Sequence, residues 1–499
     1  MMYSRMIVVM IVGIYTSRVV LNALGVEDYG IYNLVGGLVA LFAILKGGLG
    51  ASTQRFLNFG IGKSDDNIEE LRGIFKTAFA IYIVLALLVL VIGEILGTWM
   101  LSNKLQIPPE KADAAMYVFQ LSVATIVIQI IAVPYHAVVA ARERMSVIAT
   151  ISIFESLLKL GIALIITMVS SERLVFYAFL IFLTHLLAEL SYVIYSLKNF
   201  VEVRGRLIYI ERRLFRSLFS FAGWSMIGST SGILLGQGIN VLLGMFFLPF
   251  VNAARGISTI IQGTVNQVFT NVQIAVSPQI IQSYARKDYD YFHFLIFACS
   301  KYFSFLVLLI GIPLFIRLEY VMKLWLGEIP TYAIIFSRIL LSACIIDALS
   351  APLMRASDAS GDIKLYNIVV GGIQIGVIPI AYIVLKLGGD PISAFYVYLI
   401  MMCFALTARL LILKMKVELP IGKFVTKVIC RLALVMAISI PLCYYSNDFI
   451  KKDFIGLLLF CICTTVIIST SVLLVGMNKQ ERTFALSKLA SLYRKKIKK

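Results

Sequence analysis

Apolar stretches long enough to cross a lipid bilayer recur through the whole sequence. A membrane-spanning helix needs about 20 consecutive apolar residues. Of the 499 residues, 60% are hydrophobic and only 14% are charged, whereas soluble domains have about 25% charged residues. The mean hydropathy is +0.92. These values exclude an ordinary water-soluble enzyme and predict an all-α, polytopic membrane protein whose function resides in its helix bundle.

The apolar stretches number about fourteen and form two sets of six followed by a pair. The predicted spans are 6–24, 31–50, 75–99, 115–140, 147–169 and 174–197, then 219–247, 250–272, 292–316, 331–354, 363–387 and 392–413, and finally 425–445 and 454–475. The expected organisation is an N-lobe at 1–197, a basic linker at 198–218, a C-lobe at 219–416, helices 13 and 14 at 417–478 and a basic tail at 479–499.

The two sets of six also share weak internal similarity. The stretch 51–65 can be aligned with 275–288, and 134–148 can be aligned with 352–367. Duplicated halves are common in secondary transporters. Because six is an even number, both halves enter the membrane in the same direction. We therefore expect two lobes in parallel pseudo-repeat, with a substrate cleft between them.

Lysine and arginine are distributed unevenly between the two sides of this arrangement. The segments on the side of the N-terminus hold 29 of them, and the opposite loops hold 8. Short loops rich in these residues remain in the cytoplasm, so both termini are predicted to be cytoplasmic. The net charge is +18, and in a membrane protein this charge indicates anionic lipids as partners and not nucleic acid.

The sequence contains no motif for nucleotide or metal chemistry. Gly62, Lys63 and Ser64 resemble the end of a phosphate-binding loop, but Leu57 occupies the position where that loop requires glycine. The three histidines and seven cysteines show no metal-ligand spacing. We therefore expect no cofactor and no metal. A membrane polysaccharide polymerase or glycosyltransferase is the enzymatic alternative, and the short outer loops argue against it.

Basic residues within the predicted helices are the most informative feature. Each lysine or arginine near the bilayer centre costs about 2.5 to 3.5 kcal/mol on insertion scales. Three of them lie near cytoplasmic helix ends and are expected to extend into the head groups: Lys46, Arg409 and Arg431. Four others have no acidic residue at helical spacing and are candidates for binding an anionic substrate: Arg18, Arg255, Lys301 and Arg338.

Arg255 has the most specific context of these four, because it belongs to a polar stripe on predicted helix 8. The stripe consists of Asn252, Arg255, Thr259, Gln262, Asn266 and Gln273, and steps of three, four and seven place these residues on one helix face. The stripe could line a substrate cavity, or it could hold neighbouring helices together by hydrogen bonds. The second alternative accounts for the amides but not for Arg255.

The charges within the helices also indicate the sign of the ligand. Eight basic residues face four acidic ones, Glu94, Glu155, Glu189 and Asp347, and this excess favours a phosphate or pyrophosphate group. Glu155 and Lys159 are four residues apart, the spacing of a helical ion pair. His185 and Glu189 have the same spacing and are the candidates for coupling transport to H⁺, with Na⁺ as the other possible ion. A local hydrogen bond between them is the alternative interpretation.

The segment from Ser17 to Tyr32 resembles the opening of bacterial polysaccharide transport proteins. These are the Wzx-type flippases of the multidrug/oligosaccharidyl-lipid/polysaccharide exporter superfamily. Shorter stretches at 54–56, 133–135, 140–145, 221–224 and 251–256 add to the resemblance, which extends over the whole chain.

The resemblance implies a flippase that moves undecaprenyl-pyrophosphate-linked oligosaccharide across the bacterial inner membrane by alternating access, for O-antigen, capsule or exopolysaccharide assembly. In related lipid II flippases, arginines on helix 1, after helix 2 and on helix 8 hold the pyrophosphate. Arg18, Arg55 and Arg255 match these positions. A polysaccharide polymerase is the further partner that this function implies. The nearest alternative is a cation-coupled multidrug exporter, which would be expected to concentrate carboxylates in its cavity.

Overall fold

The computed structural model describes residues 2–62, 68–169, 172–204, 212–361, 364–479 and 481–483. Within these ranges every regular element is a helix and no strand occurs. The structure therefore confirms the predicted all-α fold.

The helices follow one another with short connections, as expected for a chain that is mostly membrane-embedded. They are α1 (Met2–Ala40), α2 (Ala43–Gly62), α3 (Ile68–Ile92), α4 (Thr98–Asn103), α5 (Ala112–Ala141), α6 (Met145–Ile166), α7 (Arg173–Asn199), α8 (Arg212–Phe246), α9 (Pro249–Ala285), α10 (Tyr289–Ile316), α11 (Leu318–Leu326), α12 (Ala333–Ser360), α13 (Lys364–Lys386), α14 (Pro391–Val417), α15 (Ile421–Phe424), α16 (Cys430–Phe449) and α17 (Phe454–Ser471). Short π-helical segments continue three of them, at Gly93–Gly97, Val425–Ile429 and Val472–Gly476.

Eleven helices in the described part of the chain are long and apolar enough to cross a membrane. Three further long helices, α2, α8 and α9, bring the long helical segments of the described residues to fourteen. The apolar part of α8 whose side chains are described, Thr230–Phe246, is shorter than a full span, whereas α2 is rich in glycine and α9 carries the polar stripe. The chain is a multi-pass membrane protein.

The first two predicted spans differ from the observed helices. The sequence predicts a loop between 24 and 31, but α1 continues through this region to Ala40 with a kink at Gly25, where φ is 81° and ψ is 168°. This backbone conformation is essentially limited to glycine, so one residue redirects the helix without a polar loop. The helix that follows, α2, then extends to Gly62.

The first compact unit comprises Met1–Ile260, Glu328–Phe336 and Gly371–Tyr398. Part of its core lies among α2, α3, α5 and α7 and includes Phe75, Phe79 and Tyr135. The ring of Tyr135 packs edge-on against both phenylalanines, with centroid distances of 5.2 and 5.9 Å.

The second compact unit comprises Ile261–Gly327, Ser337–Val370 and Leu399–Lys499. Its core is formed by apolar side chains of α9, α10, α12 and α14 to α17, among them Phe292, Leu353, Leu413 and Phe424. The predicted lobe boundaries at 197, 219 and 416 are based on internal duplication of the sequence. The two compact units do not test that duplication, so these boundaries stay a prediction.

Candidate substrate and coupling sites

In the first unit, α1, α8 and α9 approach one another closely at glycines and are joined by asparagines. A Cβ atom added to Gly256 of α9 would lie 2.8 Å from Oδ1 of Asn33 on α1. Asn240 of α8 donates from Nδ2 to the carbonyl oxygen of Asn33 at 2.8 Å. Asn252 of α9 donates in turn to the carbonyl oxygen of Asn240 at 2.7 Å and to its Oδ1 at 2.8 Å. The first residue of the polar stripe is therefore part of a hydrogen-bonded contact among three helices.

Arg255, the next residue of the stripe, is buried, with 8% of its surface exposed. Its Nη2 donates to the carbonyl oxygen of Gly236 on α8, and Tyr398 is its electrostatic neighbour. No carboxylate in the described ranges forms an ion pair with it. A buried cation that lacks a carboxylate partner is costly, so this guanidinium is suited to an anionic ligand.

The two other arginines assigned by resemblance belong to the same compact unit as Arg255. Arg18 is half-buried on α1, and Arg55 is exposed in the second half of α2. The predicted lobes instead separate Arg255, in the C-lobe, from these two. Their joint contact with a pyrophosphate stays a prediction.

A cavity of about 310 Å³ lies in the first unit among α1, α6 and α7. Its polar lining includes Thr16, Asn33, Ser156, Lys159 and Tyr177. Asn33 also carries the contact with Asn240, so the cavity adjoins the packing of α1 against α8. The charged group in its lining is Lys159, whose ammonium is paired with Glu155.

The second half of the polar stripe belongs to the second unit, and its amides bind α12. Asn266 donates from Nδ2 to Oδ2 of Asp347 at 3.1 Å, and Gln273 donates from Nε2 to the carbonyl oxygen of Ala351 at 2.9 Å. The carbonyl oxygen of Gln262 accepts from the thiol of Cys344 at 3.9 Å. Hydrogen bonding between helices, one of the two alternatives for the stripe, therefore describes the side-chain amides of Asn266 and Gln273.

The remaining stripe residue, Thr259, is half-buried and donates to the carbonyl oxygen of Gly256 in its own helix at 2.8 Å. This bond occupies the hydroxyl hydrogen and leaves the oxygen able to accept a hydrogen bond. Roles of Asn252, Thr259, Gln262 and Asn266 in substrate binding stay a prediction.

Lys301 and Arg338 lie in the second unit and have protein contacts of their own. Lys301 is 4% exposed, and its Nζ lies 2.7 and 2.6 Å from the two carboxylate oxygens of Glu481. The guanidinium carbon of Arg338 lies 5.4 Å from the ring centroid of Phe315, a cation–π distance. Glu481 is 180 residues from Lys301, so helical spacing could not reveal this pair.

The expectation that Arg409 extends into the lipid head groups is wrong. Arg409 is 6% exposed, and it donates from Nε to the Tyr366 hydroxyl at 3.1 Å and from Nη1 to the Ser350 hydroxyl at 3.0 Å. Arg431 likewise binds the side chain of Asn478. The two hydroxyl acceptors of Arg409 lie on α12 and α13, and Asn478 follows the π-helical segment after α17. The sequence alone does not place those acceptors.

The predicted ion pair between Glu155 and Lys159 is present, with 2.7 Å between Oε1 and Nζ. His185 of α7 joins it, since its Nδ1 lies 3.5 Å from Oε1 of Glu155 and 3.2 Å from Nε2 of Gln129 on α5. Lys46 of α2 donates to Oε1 of Gln129 at 3.3 Å. Polar groups from four helices therefore form one connected cluster in the first unit.

Glu189 does not pair with His185 as the spacing on α7 suggests. Its Oε2 lies 2.5 Å from Nε2 of His136 on α5, and the carboxylate is 8% exposed. The His136 ring packs on Tyr192 with 3.8 Å between centroids. Packing of α5 against α7 brings His136 to the carboxylate, so the partner comes from another helix. Gln129 and His136, seven residues apart on one helix face, are the signal that sequence reasoning missed.

A further buried arginine, Arg317, follows α10 and has a structural role. It donates to Oδ1 of Asn447 at 2.9 Å and to the carbonyl oxygens of Lys451 and Ile450 at 3.0 and 2.8 Å. Loss of hydration lowers the pKa of its guanidinium. This residue connects the end of α10 to the segment between α16 and α17. In the sequence it follows a predicted span and looks like a charged residue of an exposed loop.

No protein-family model matches the chain, and no curated protein matches it in sequence. Solved structures do match it. The lipid II flippase MurJ in an inward closed conformation has 13% identity and a TM-score of 0.68 over 94% of this chain and 97% of that chain. An inward-facing multidrug resistance MATE family transporter of the MOP superfamily has 12% identity and a TM-score of 0.66 over 82% of this chain and 94% of that chain.

The MATE multidrug transporter DinF-BH matches less closely, with 13% identity and a TM-score of 0.58 over 83% of this chain and 93% of that chain. At these identities the likeness establishes the architecture and not the substrate. The chain therefore has the fold that MATE transporters and the lipid II flippase MurJ share.

Proposed function

We propose that this protein is a flippase for a lipid-linked oligosaccharide, carried on undecaprenyl pyrophosphate, in the bacterial inner membrane. Transport would proceed by alternating access, with both termini in the cytoplasm, for the assembly of a surface polysaccharide such as O-antigen or capsule. A polysaccharide polymerase would accept the product. The resemblance at Ser17 to Tyr32 supports the polysaccharide branch, and the fold shared with the lipid II flippase MurJ is compatible with a lipid-linked substrate.

The buried guanidinium of Arg255 is the observation on which the proposal rests. It is bound by a backbone carbonyl and has no carboxylate partner in the described ranges. A pyrophosphate would supply the missing negative charge through charge-assisted hydrogen bonds. Arg18 and Arg55, in the same compact unit, would add two more cations to the binding of the head group.

For coupling we propose H⁺ in preference to Na⁺. Glu155 and Glu189 each lie next to a histidine nitrogen, at 3.5 and 2.5 Å. A histidine nitrogen beside a carboxylate provides two groups between which a proton can move, whereas Na⁺ is held by several oxygen ligands. Uptake or release of a proton by Glu155 or His185 would change the net charge of the cluster that contains Lys159.

The test is to replace Arg255 by lysine and by alanine and to measure export per unit of membrane-inserted protein. Lysine keeps the charge but loses the planar pair of donors that suits phosphate, so partial activity is expected. Alanine removes one charge-assisted contact, and we expect specific activity to fall roughly tenfold or more.

Arg173 provides a matched control, because it donates to the carbonyl oxygens of Val169 and Ala23 at 2.7 and 3.0 Å and is not assigned to the substrate. Arg173→Ala should lower the amount of folded protein and leave specific activity near normal. If Arg255→Ala shows the same pattern as Arg173→Ala, Arg255 is a structural residue and the proposal loses its main support.

A multidrug exporter is the second candidate, and the MATE neighbours of the same fold favour it. Ligand stabilisation separates the two candidates, because a ligand that binds only the folded state raises its melting temperature. Undecaprenyl pyrophosphate should stabilise the purified protein and fail to stabilise Arg255→Ala. Stabilisation by a lipophilic cation, unchanged in Arg255→Ala, would instead assign the protein to multidrug export.

A further inference from the structure

A second charged cavity, of about 290 Å³, lies in the second unit at the start of α10. The segment that follows α17 closes one side of it, and residues near α15 and α16 close another. Its charged lining consists of Lys301, Lys423, Lys427, Asp290 and Glu481. Arg431 is a further electrostatic neighbour of Lys301. Cations therefore outnumber carboxylates around this cavity.

Glu481 neutralises the buried lysine of this cavity. Lys301 Nζ lies 2.7 and 2.6 Å from the two carboxylate oxygens, and Oε2 also accepts from the backbone N–H of Asn478 at 2.7 Å. A buried ammonium together with a backbone N–H is the type of donor set that binds a phosphate oxygen. The exposed Lys423 and Lys427 leave the rim positively charged even with Glu481 in place.

We propose that this cavity binds a phosphate-type anion and that Glu481 occupies the anion's position when none is bound. The anion would exchange with the carboxylate on Lys301 and release the segment that carries Glu481. The site shares Lys301 with the residues predicted from the sequence to bind the substrate. It uses none of Arg18, Arg55 and Arg255, on which the proposed transport function rests, so it is tested by binding alone.

The position of the cavity favours the head group of an anionic phospholipid as the source of the phosphate. The connections before α10 and before α15, together with the C-terminal segment, lie on the side predicted to be cytoplasmic. Basic pockets between membrane helices on that side attract anionic head groups. A soluble phosphate compound is the other source with the same chemistry.

Displacement of Glu481 can be followed by a nitroxide label at Thr483→Cys, an exposed position, in full-length protein that lacks its native cysteines. In nanodiscs of phosphatidylcholine the label should be restrained. Addition of phosphatidylglycerol should raise the fraction of mobile label. In Glu481→Gln the label should be mobile even without phosphatidylglycerol. Native mass spectrometry should show phosphatidylglycerol retained roughly tenfold more strongly by Glu481→Gln.

Substitution of the lysines should have the opposite effect on the retention of phosphatidylglycerol. Lys301→Gln should weaken retention of phosphatidylglycerol roughly tenfold. Lys427→Gln, an exposed substitution that leaves the core intact, should weaken it in the same direction even if Lys301→Gln folds poorly. Lys386→Gln is the matched control, because this exposed lysine belongs to the other compact unit, and its retention should equal that of the native protein.

Addition of inorganic pyrophosphate to phosphatidylcholine nanodiscs distinguishes the two sources. A mobile label with pyrophosphate supports a site open to soluble phosphates, and a response limited to phosphatidylglycerol supports a lipid head group. The proposal is overturned if neither compound mobilises the label, or if Lys427→Gln and Glu481→Gln retain phosphatidylglycerol as the native protein does.

Discussion

At the scale of single residues, two carboxylates of the first unit contact different histidines. Glu189 lies 2.5 Å from His136 and is almost fully buried, whereas Glu155 lies between Lys159 and His185. If proton exchange at the buried pair drives transport, Glu189→Gln should abolish the response of transport to an imposed pH gradient while the protein stays in the membrane. His136→Gln should have the same effect, because it removes the other member of the pair.

Glu94→Gln is the matched control for this prediction. Glu94 is also within a membrane helix, but its carboxylate accepts from the amide of Gln120 at 2.8 Å and not from a histidine. Its loss should leave the pH response unchanged. An unaltered response in both Glu189→Gln and His136→Gln would remove this pair from the coupling mechanism.

At the scale of one element, the kink at Gly25 decides the path of α1. No heavy atom lies within 4 Å of the position where a Cβ would be added to Gly25, so the cost of Gly25→Ala is that of the backbone conformation alone. With φ at 81° and ψ at 168°, we expect a loss of roughly 1 to 3 kcal/mol in the free energy of unfolding. Thermal unfolding of the purified protein in detergent measures the effect as a lower melting temperature.

Gly13 gives the comparison within the same helix. It also has no heavy atom within 4 Å of an added Cβ, but it has ordinary helical backbone. Gly13→Ala should therefore be neutral or stabilise the protein by up to about 1 kcal/mol. Equal melting temperatures for the two variants would show that Gly25 does not hold the strained conformation in the purified protein.

At the scale of the whole molecule, the uneven distribution of basic residues predicts the orientation in the membrane. Single cysteines in a cysteine-free background test it through an impermeant thiol reagent added from the periplasm. Exposed positions at Asn103 and Asp448 should react, and exposed positions at Lys198 and Arg286 should not. All four lie at or next to helix ends. The four results together therefore show whether an odd or an even number of spans separates each pair of positions.

Permeabilised cells serve as the control, because all four positions should then react to a similar extent. Labelling at positions 198 and 286 from the periplasm, with protection of the other two positions, would show that the orientation is the reverse of the predicted one. It would also place the lysine-rich cavity of the second unit on the outer side.

The sequence alone determined the class of fold and the eleven apolar spans of the described residues. A bilayer requires about 20 apolar residues for each crossing, and this requirement is local, so it can be read along the chain without knowledge of any neighbour. The same holds for the Glu155 and Lys159 pair, whose members lie one helical turn apart. The position of Arg255 within a helix also followed from the sequence, whereas its burial is seen only in the structure and its role in substrate binding stays a prediction.

Only the tertiary structure decided which groups meet. His136 with Glu189, Lys301 with Glu481, and Arg409 with Tyr366 are 53, 180 and 43 residues apart. Helical periodicity orients a side chain on its own helix, but the helix that packs against that face depends on the shapes of both surfaces. The kink at Gly25 is a further example, because glycine permits a positive φ without requiring it, and packing of the surrounding helices selects the conformation.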